Sequence, residues 1–125
     1  MKAEATAATP VKRRRIVLDT DMGSDVDDAL CLALAMASPE IELVAVTTVT
    51  RDTRLRARIA KRLLTLGGHG NVPVYAGETH PLAGGDRFVW FGLEGEGILD
   101  DGQSPDAISE EHAVDALVRL CGAPV

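Results

Sequence analysis

The chain has 125 residues, 46% hydrophobic and 26% charged, which suits one small globular domain with a single core. Thirteen lysines and arginines against nineteen aspartates and glutamates leave a net charge of −6, which excludes general nucleic-acid binding and fits cation binding. Aromatics make up only 3%, so the core must be built from Ala, Val, Leu and Ile.

Residues 1–14 read as a flexible tail rich in Ala and Thr, without the apolar segment of a secretory signal. The basic run Lys12 to Arg15 reads as a solvated flank before the first strand. "RIVLD" at 15–19 is β-branched and apolar, then acidic, and predicts a short buried strand. "VDDALCLALAMA" at 26–37 predicts a helix, apolar almost all round and therefore buried on more than one side. "SPE" at 38–40 stops it. "ELVAVTTV" at 42–49 is a nearly continuous apolar run, as in a parallel strand covered on both faces.

"TRLRARIAKRLLTL" at 53–66 predicts an amphipathic helix with Leu55, Ile59, Leu63 and Leu66 on one face and basic residues opposite. Gly67 and Gly68 end it. "VPVYA" at 72–76 is a third strand, and the glycine-rich stretch 83–105 a long loop. A last helix is expected over 109–121. The order β-α-β-α-β-loop-α predicts an α/β protein with an open, parallel, Rossmann-like sheet flanked by helices, in one domain over 15–125. Three strands leave a sheet edge and an apolar helix face uncovered, so the chain is expected to be a fragment or to be completed by another copy or partner.

Five aspartates, Asp19, Asp21, Asp25, Asp27 and Asp28, crowd where the first strand turns into the first helix. In open parallel sheets that is the ligand-binding edge. Asp25 is placed to cap the helix, with Asp28 three residues on as in a capping box. Capping does not account for five acids. Unit charges about 4 Å apart repel by roughly 4 kcal/mol at an effective dielectric near 20, whereas a helix terminus returns only about 0.3–1 kcal/mol per acid. A divalent cation reverses that balance, and calcium, with six to eight hard oxygen ligands in loose geometry, suits clustered carboxylates. The loop is not an EF-hand, because its sixth and twelfth positions counted from Asp19 are Ser24 and Leu30.

"DTDMGSDVDDA" followed by "SPEIELVAVTTV" resembles the amino-terminal signature of the inosine-uridine preferring nucleoside hydrolases. "NVPVYAGETHPL", "WFGLEGEGIL" and "EHAVDALVRL" follow in the family's order. The resemblance implies the amino-terminal half of that fold and calcium-dependent hydrolysis of the N-glycosidic bond of ribonucleosides. By motif position Asp21 matches a calcium ligand that is also the catalytic base, Asp28 a second metal ligand, and Asp27 an acid gripping ribose hydroxyls. Asp52 lies where members place an Asn or Asp beside the sugar, and Asp19 orders the loop. Leu93 stands where members often have His, and Arg51 replaces a small residue. The family's remaining metal ligands lie in its carboxyl-terminal half, so the isolated chain is expected to bind calcium weakly and to turn over little substrate.

Two other readings compete. One is a haloacid-dehalogenase-type phosphatase using Asp19 with magnesium. The other is a non-catalytic binding or assembly module that uses the open sheet edge. His69, His80 and His112 read as surface or loop residues. Cys31, in an apolar run, and Cys121 read as reduced thiols of a cytoplasmic protein. No apolar stretch is long enough to span a membrane. The resemblance implies a ribonucleoside as the partner, with a homo-oligomer or a second chain as the other expected contact.

Overall fold

The structure, a computed structural model, describes residues 12–85, 91–99 and 107–122. The expected tail over 1–11, and the loop positions 86–90 and 100–105, lie outside the described residues. Strands and helices alternate: β1 (Arg14–Thr20), α1 (Asp27–Ala37), β2 (Ile41–Thr48), α2 (Thr53–Leu66), β3 (Val74–Ala76) and α3 (Ala113–Cys121).

β2 lies between β1 and β3, and both pairings are parallel. It buries Ala45, Val46, Thr47 and Thr48 in succession, as its unbroken apolar run requires of a strand covered on both faces. On one face Met22, Leu32, Val46, Ala57, Ala60, Leu64 and Val74 form the main core under α1 and α2. A smaller cluster of Ala45, Tyr75, Ala113 and Ala116 packs with α3. Half of the basic run precedes the first strand: Lys12 and Arg13 flank it, Arg14 and Arg15 begin β1, all four are exposed, and Arg13 Nε donates to the Pro39 carbonyl at 3.2 Å.

α2 forms where expected, but its buried stripe is rotated. Ala57, Ile59, Ala60 and Leu64 are buried while Leu66 is exposed. Alanines let the helix backbone approach the sheet, and two of the supposedly solvated cations, Arg56 and Lys61, run their stems inward. Lys61 Nζ donates to the carbonyls of Gly70 (2.6 Å) and Val72 (3.0 Å), tying the α2–β3 connection to the helix. Lys61→Met is expected to cost about 1.5–3 kcal/mol, the range for hydrogen bonds to a charged group. A lower urea midpoint at unchanged slope would register that loss.

α1 differs from expectation as well. Leu32 and Ala35 are buried, but Val26, Leu30, Cys31 and Leu34 are exposed, so only one side of this all-round apolar helix is covered among the described residues. Asp25 does not cap it; the cap position falls on Val26, without a side-chain bond. α3 starts later than 109. Ser109 pairs with Tyr75 beside β3, and His112 becomes the cap, its Nδ1 accepting from the Val114 amide at 3.3 Å. Among the described residues no helix is long and apolar enough to cross a membrane.

Candidate active site

The acidic turn hangs from the carboxyl end of β1 by buried anchors. Thr20, 5% exposed, donates its hydroxyl to Asp28 Oδ2 at 2.5 Å and accepts the Met22 amide at 3.1 Å. The Asp21 amide donates to the same Asp28 oxygen at 3.1 Å. Met22 is buried in the core and pins the turn from below. Gly23 turns the chain at φ +113°, a backbone conformation that strains any residue with a side chain, and a Cβ there would also have to displace Ile59 Cδ1, 2.7 Å away.

Underneath lies Arg56. Its Nη1 donates to the carbonyls of Asp21 and Met22, the latter at 2.8 Å, and its Nη2 to Ser24 Oγ at 3.1 Å. Ser24 in turn donates to Glu94 Oε1 at 3.2 Å, which also accepts the Phe91 amide at 3.2 Å.

The carboxyls are unequal. Burial pushes the Asp21 carboxyl above its ordinary pKa, and the bonded, like-charged Asp28 pushes it further; Arg56 pulls the other way. Asp25 and Asp27 share a hydrogen bond that raises the pKa of Asp25 and lowers that of Asp27. Burial opposes ionisation of Glu94. The amides of its own loop, Phe91 among them, and the Ser24 hydroxyl outweigh it and hold the carboxyl below its ordinary value. Asp21, Ser24, Asp25, Asp27, Thr50, Arg56 and Phe91 line one cavity of about 410 Å³.

The turn after β2 is strained. Thr50 and Arg51 hold φ values of +75° and +61°, outside the usual range of side-chain-bearing residues. Their amides donate to the carbonyls of Glu78 and Thr79, each at 2.9 Å. Asp52 caps α2, its Oδ1 accepting the Leu55 amide at 2.9 Å. It lines a neighbouring cavity of about 430 Å³ with Arg51, Thr79 and His80.

Of the residues singled out in the sequence, Asp21 and Asp28 meet as a bonded pair, and Asp21 and Asp27 share a cavity. Asp52 sits in the adjoining cavity. Asp19 is outside the cluster and accepts the Thr47 hydroxyl at 2.7 Å, tying β1 to β2. Leu93 is exposed; two residues earlier, Phe91 reaches the acid-lined cavity. His69 lies in the loop after α2, His80 is exposed, and His112 is a helix cap. Cys31 and Cys121 are free thiols. Among the described residues no group of three or more His, Cys, Asp or Glu is arranged to hold a metal ion. Arg56, Ser24 and Glu94 escaped the sequence reading. The signal was an arginine four positions from Ala60 and three from Thr53, on the stripe that is buried.

A three-stranded parallel sheet flanked by helices, with paired acids on its carboxyl edge, defines an α/β protein. The family model of the inosine-uridine preferring nucleoside hydrolases matches residues 16–124, and the chain belongs to that family. It is 43% identical over 113 residues to the inosine-uridine preferring nucleoside hydrolase of Leishmania major, covering 86% of this chain and 35% of that one. A pyrimidine-specific ribonucleoside hydrolase of Photobacterium profundum is 35% identical over 112 residues, covering 86% of this chain and 35% of that one. Among solved structures, an inosine-guanosine nucleoside hydrolase superposes with a TM-score of 0.73 at 28% identity, over 90% of this chain and 35% of that one. The chain spans 22% to 37% of the length of the curated relatives it matches. Family membership displaces the phosphatase reading built on Asp19.

Proposed function

We propose that the chain carries the metal-binding and ribose-binding edge of a calcium-dependent nucleoside hydrolase that splits ribonucleosides into ribose and free base. The observation that supports this is Asp21, paired with Asp28 and sharing one cavity with Asp27, in a chain of this family. The oxygen-only donors and the mutual repulsion of the pair fit a hard divalent cation. Asp21 and Asp28 would hold it. When bound, calcium supplies the positive charge that fixes a sugar diol and makes a nearby water easier to deprotonate.

Asp21 then takes the proton from the water that attacks the anomeric carbon. Asp27, with its pKa held down, stays ionised and accepts hydrogen bonds from ribose hydroxyls. The carboxylates around the sugar favour the oxocarbenium-like charge that grows as the base departs. Asp52, whose Oδ1 caps α2, would meet the sugar from the adjoining cavity. The two ligands supplied here are few for calcium, which supports weak binding and slow turnover by this chain alone.

The exposed side of α1 and the outer edge of β1 support a second chain or a second copy as a contact. The two free thiols support a cytoplasmic setting. Inosine and uridine are expected to bind the full chain only with calcium present, with slow ribose release, and binding is expected to fail in Asp27→Asn. Calorimetric nucleoside binding that ignores both calcium and Asp27 contradicts the reading.

A further inference from the structure

α2 displays Arg54, Arg56, Arg58, Lys61 and Arg62 within nine positions, yet Arg56 alone among its arginines is fully inside, at 1% exposure. A guanidinium leaves water only where fixed acceptors replace it. The acceptors here come from two different turns. Nη1 bonds the carbonyls of Asp21 and Met22, and Nη2 the Ser24 hydroxyl, all after β1. Nε bonds the Thr50 carbonyl at 2.8 Å, after β2.

The second turn is the one whose left-handed Thr50 and Arg51 persist only when held from outside. It is also held by hydrogen bonds from the Thr50 and Arg51 amides to the Glu78 and Thr79 carbonyls, and beside it by the Val49 amide on the Thr20 carbonyl at 3.1 Å. A third segment joins through Ser24, because Glu94 is 7% exposed and binds both the Ser24 hydroxyl and the Phe91 amide. Glu94 Oε2 is buried without a hydrogen-bond partner among the described residues, so Oε1 carries the link.

We infer that Arg56 is a positioning residue: its rigid planar fork sets the acidic turn bearing Asp21 and the strained turn bearing Asp52 at a fixed separation, and Ser24 and Glu94 extend that hold to Phe91 at the cavity rim. The consequence for calcium rests on the function proposed above; the clamp itself does not. Lysine offers one compact charge and no fork, so it cannot serve both turns at once.

Amide hydrogen exchange of the metal-free full chain, wild type against Arg56→Lys, reads the clamp directly. The amides of Asp21, Thr50 and Arg51 are expected to exchange at least about tenfold faster in the variant. The Val46 amide, bonded to the Pro73 carbonyl at 3.0 Å in the core, is expected to stay unchanged. Calcium affinity, measured by calorimetry on the same samples, is expected to fall by about tenfold. Ser24→Ala, which keeps the carbonyl bonds, is expected to speed Asp21 and Phe91 only, and decides the matter if Arg56→Lys does not fold.

A uniform rise in exchange that includes Val46, or a rise at one turn only in Arg56→Lys, overturns the inference. So does unaltered exchange at Asp21 and Phe91 in Ser24→Ala. Wild type that binds no calcium overturns the proposed function instead, while the exchange result still decides the role of Arg56.

Discussion

Asp21→Asn is expected to abolish calcium binding and, in the same protein, to raise the melting temperature of the metal-free chain. Burial first, and the adjoining Asp28 second, lift the folded-state pKa of Asp21 above its unfolded value. A carboxyl raised in this way favours folding while protonated and opposes it once ionised. Its penalty is therefore absent well below the ordinary aspartate range, grows as pH rises through the raised value, and is fully present at neutral pH. Asparagine is neutral at every pH and can donate to Asp28, so the penalty disappears.

The same change removes a carboxylate ligand, and the affinity loss should exceed the about 10–100-fold typical of losing a mere outer partner. Asp28→Ala is expected to behave differently. Asp28 accepts the Thr20 hydroxyl and the Asp21 amide, so its loss weakens both metal binding and the fold. Thermal melts at neutral pH with and without calcium separate the two variants. Opposite signs in the metal-free melts are predicted, and equal destabilisation contradicts the electrostatic account of the turn.

Leu64→Ala is expected to lower stability by about 2–5 kcal/mol, the range for emptying a closed core site. Leu64 is fully buried in the main cluster, between α2 and the sheet. It stands two helical turns beyond Arg56 and makes no hydrogen bond to the acid-bearing turns through its apolar side chain. A lowered denaturant midpoint with unchanged calcium affinity in the folded protein is the expected combination. A loss of affinity equal to the loss of stability would mean that fold and site are not separable in this way.

The alternation of strands and helices was legible because each element carries its own period. The unbroken Ile41–Thr48 run could only be a strand covered on both faces, and Thr53–Leu66 closes on Gly67. The acidic turn was legible as a run of like charges at the end of a strand; Asp21, Asp25, Asp27 and Asp28 interact there, while Asp19 bonds Thr47 instead. What stayed hidden were contacts between segments distant in sequence. Periodicity assigns Arg56 to the solvent face, since nothing within α2 announces that carbonyls 34 and 35 residues earlier will surround its guanidinium.

Asp25 misled for the opposite reason. Its spacing from Asp28 fits a capping box, but Asp28 is taken by Thr20 and the Asp21 amide, and Asp25 pairs with Asp27 instead. Leu93 marks a departure from the family's motif and is exposed, while Phe91, which no motif marks, lines the cavity. The exposed side of α1 was half legible: its all-round apolar character was plain, but which side lacks cover depends on how the helix sits on β2.

The central claim is that the turn after β1 exists to hold a divalent cation between Asp21 and Asp28. Calorimetric titration of calcium into the full chain tests it most directly. Saturable binding with a dissociation constant of about 10⁻⁴–10⁻³ M, the weak end of calcium sites, is predicted, lost in Asp21→Asn and in Asp28→Ala. No binding heat from the wild type, or the same heat from both variants, contradicts it.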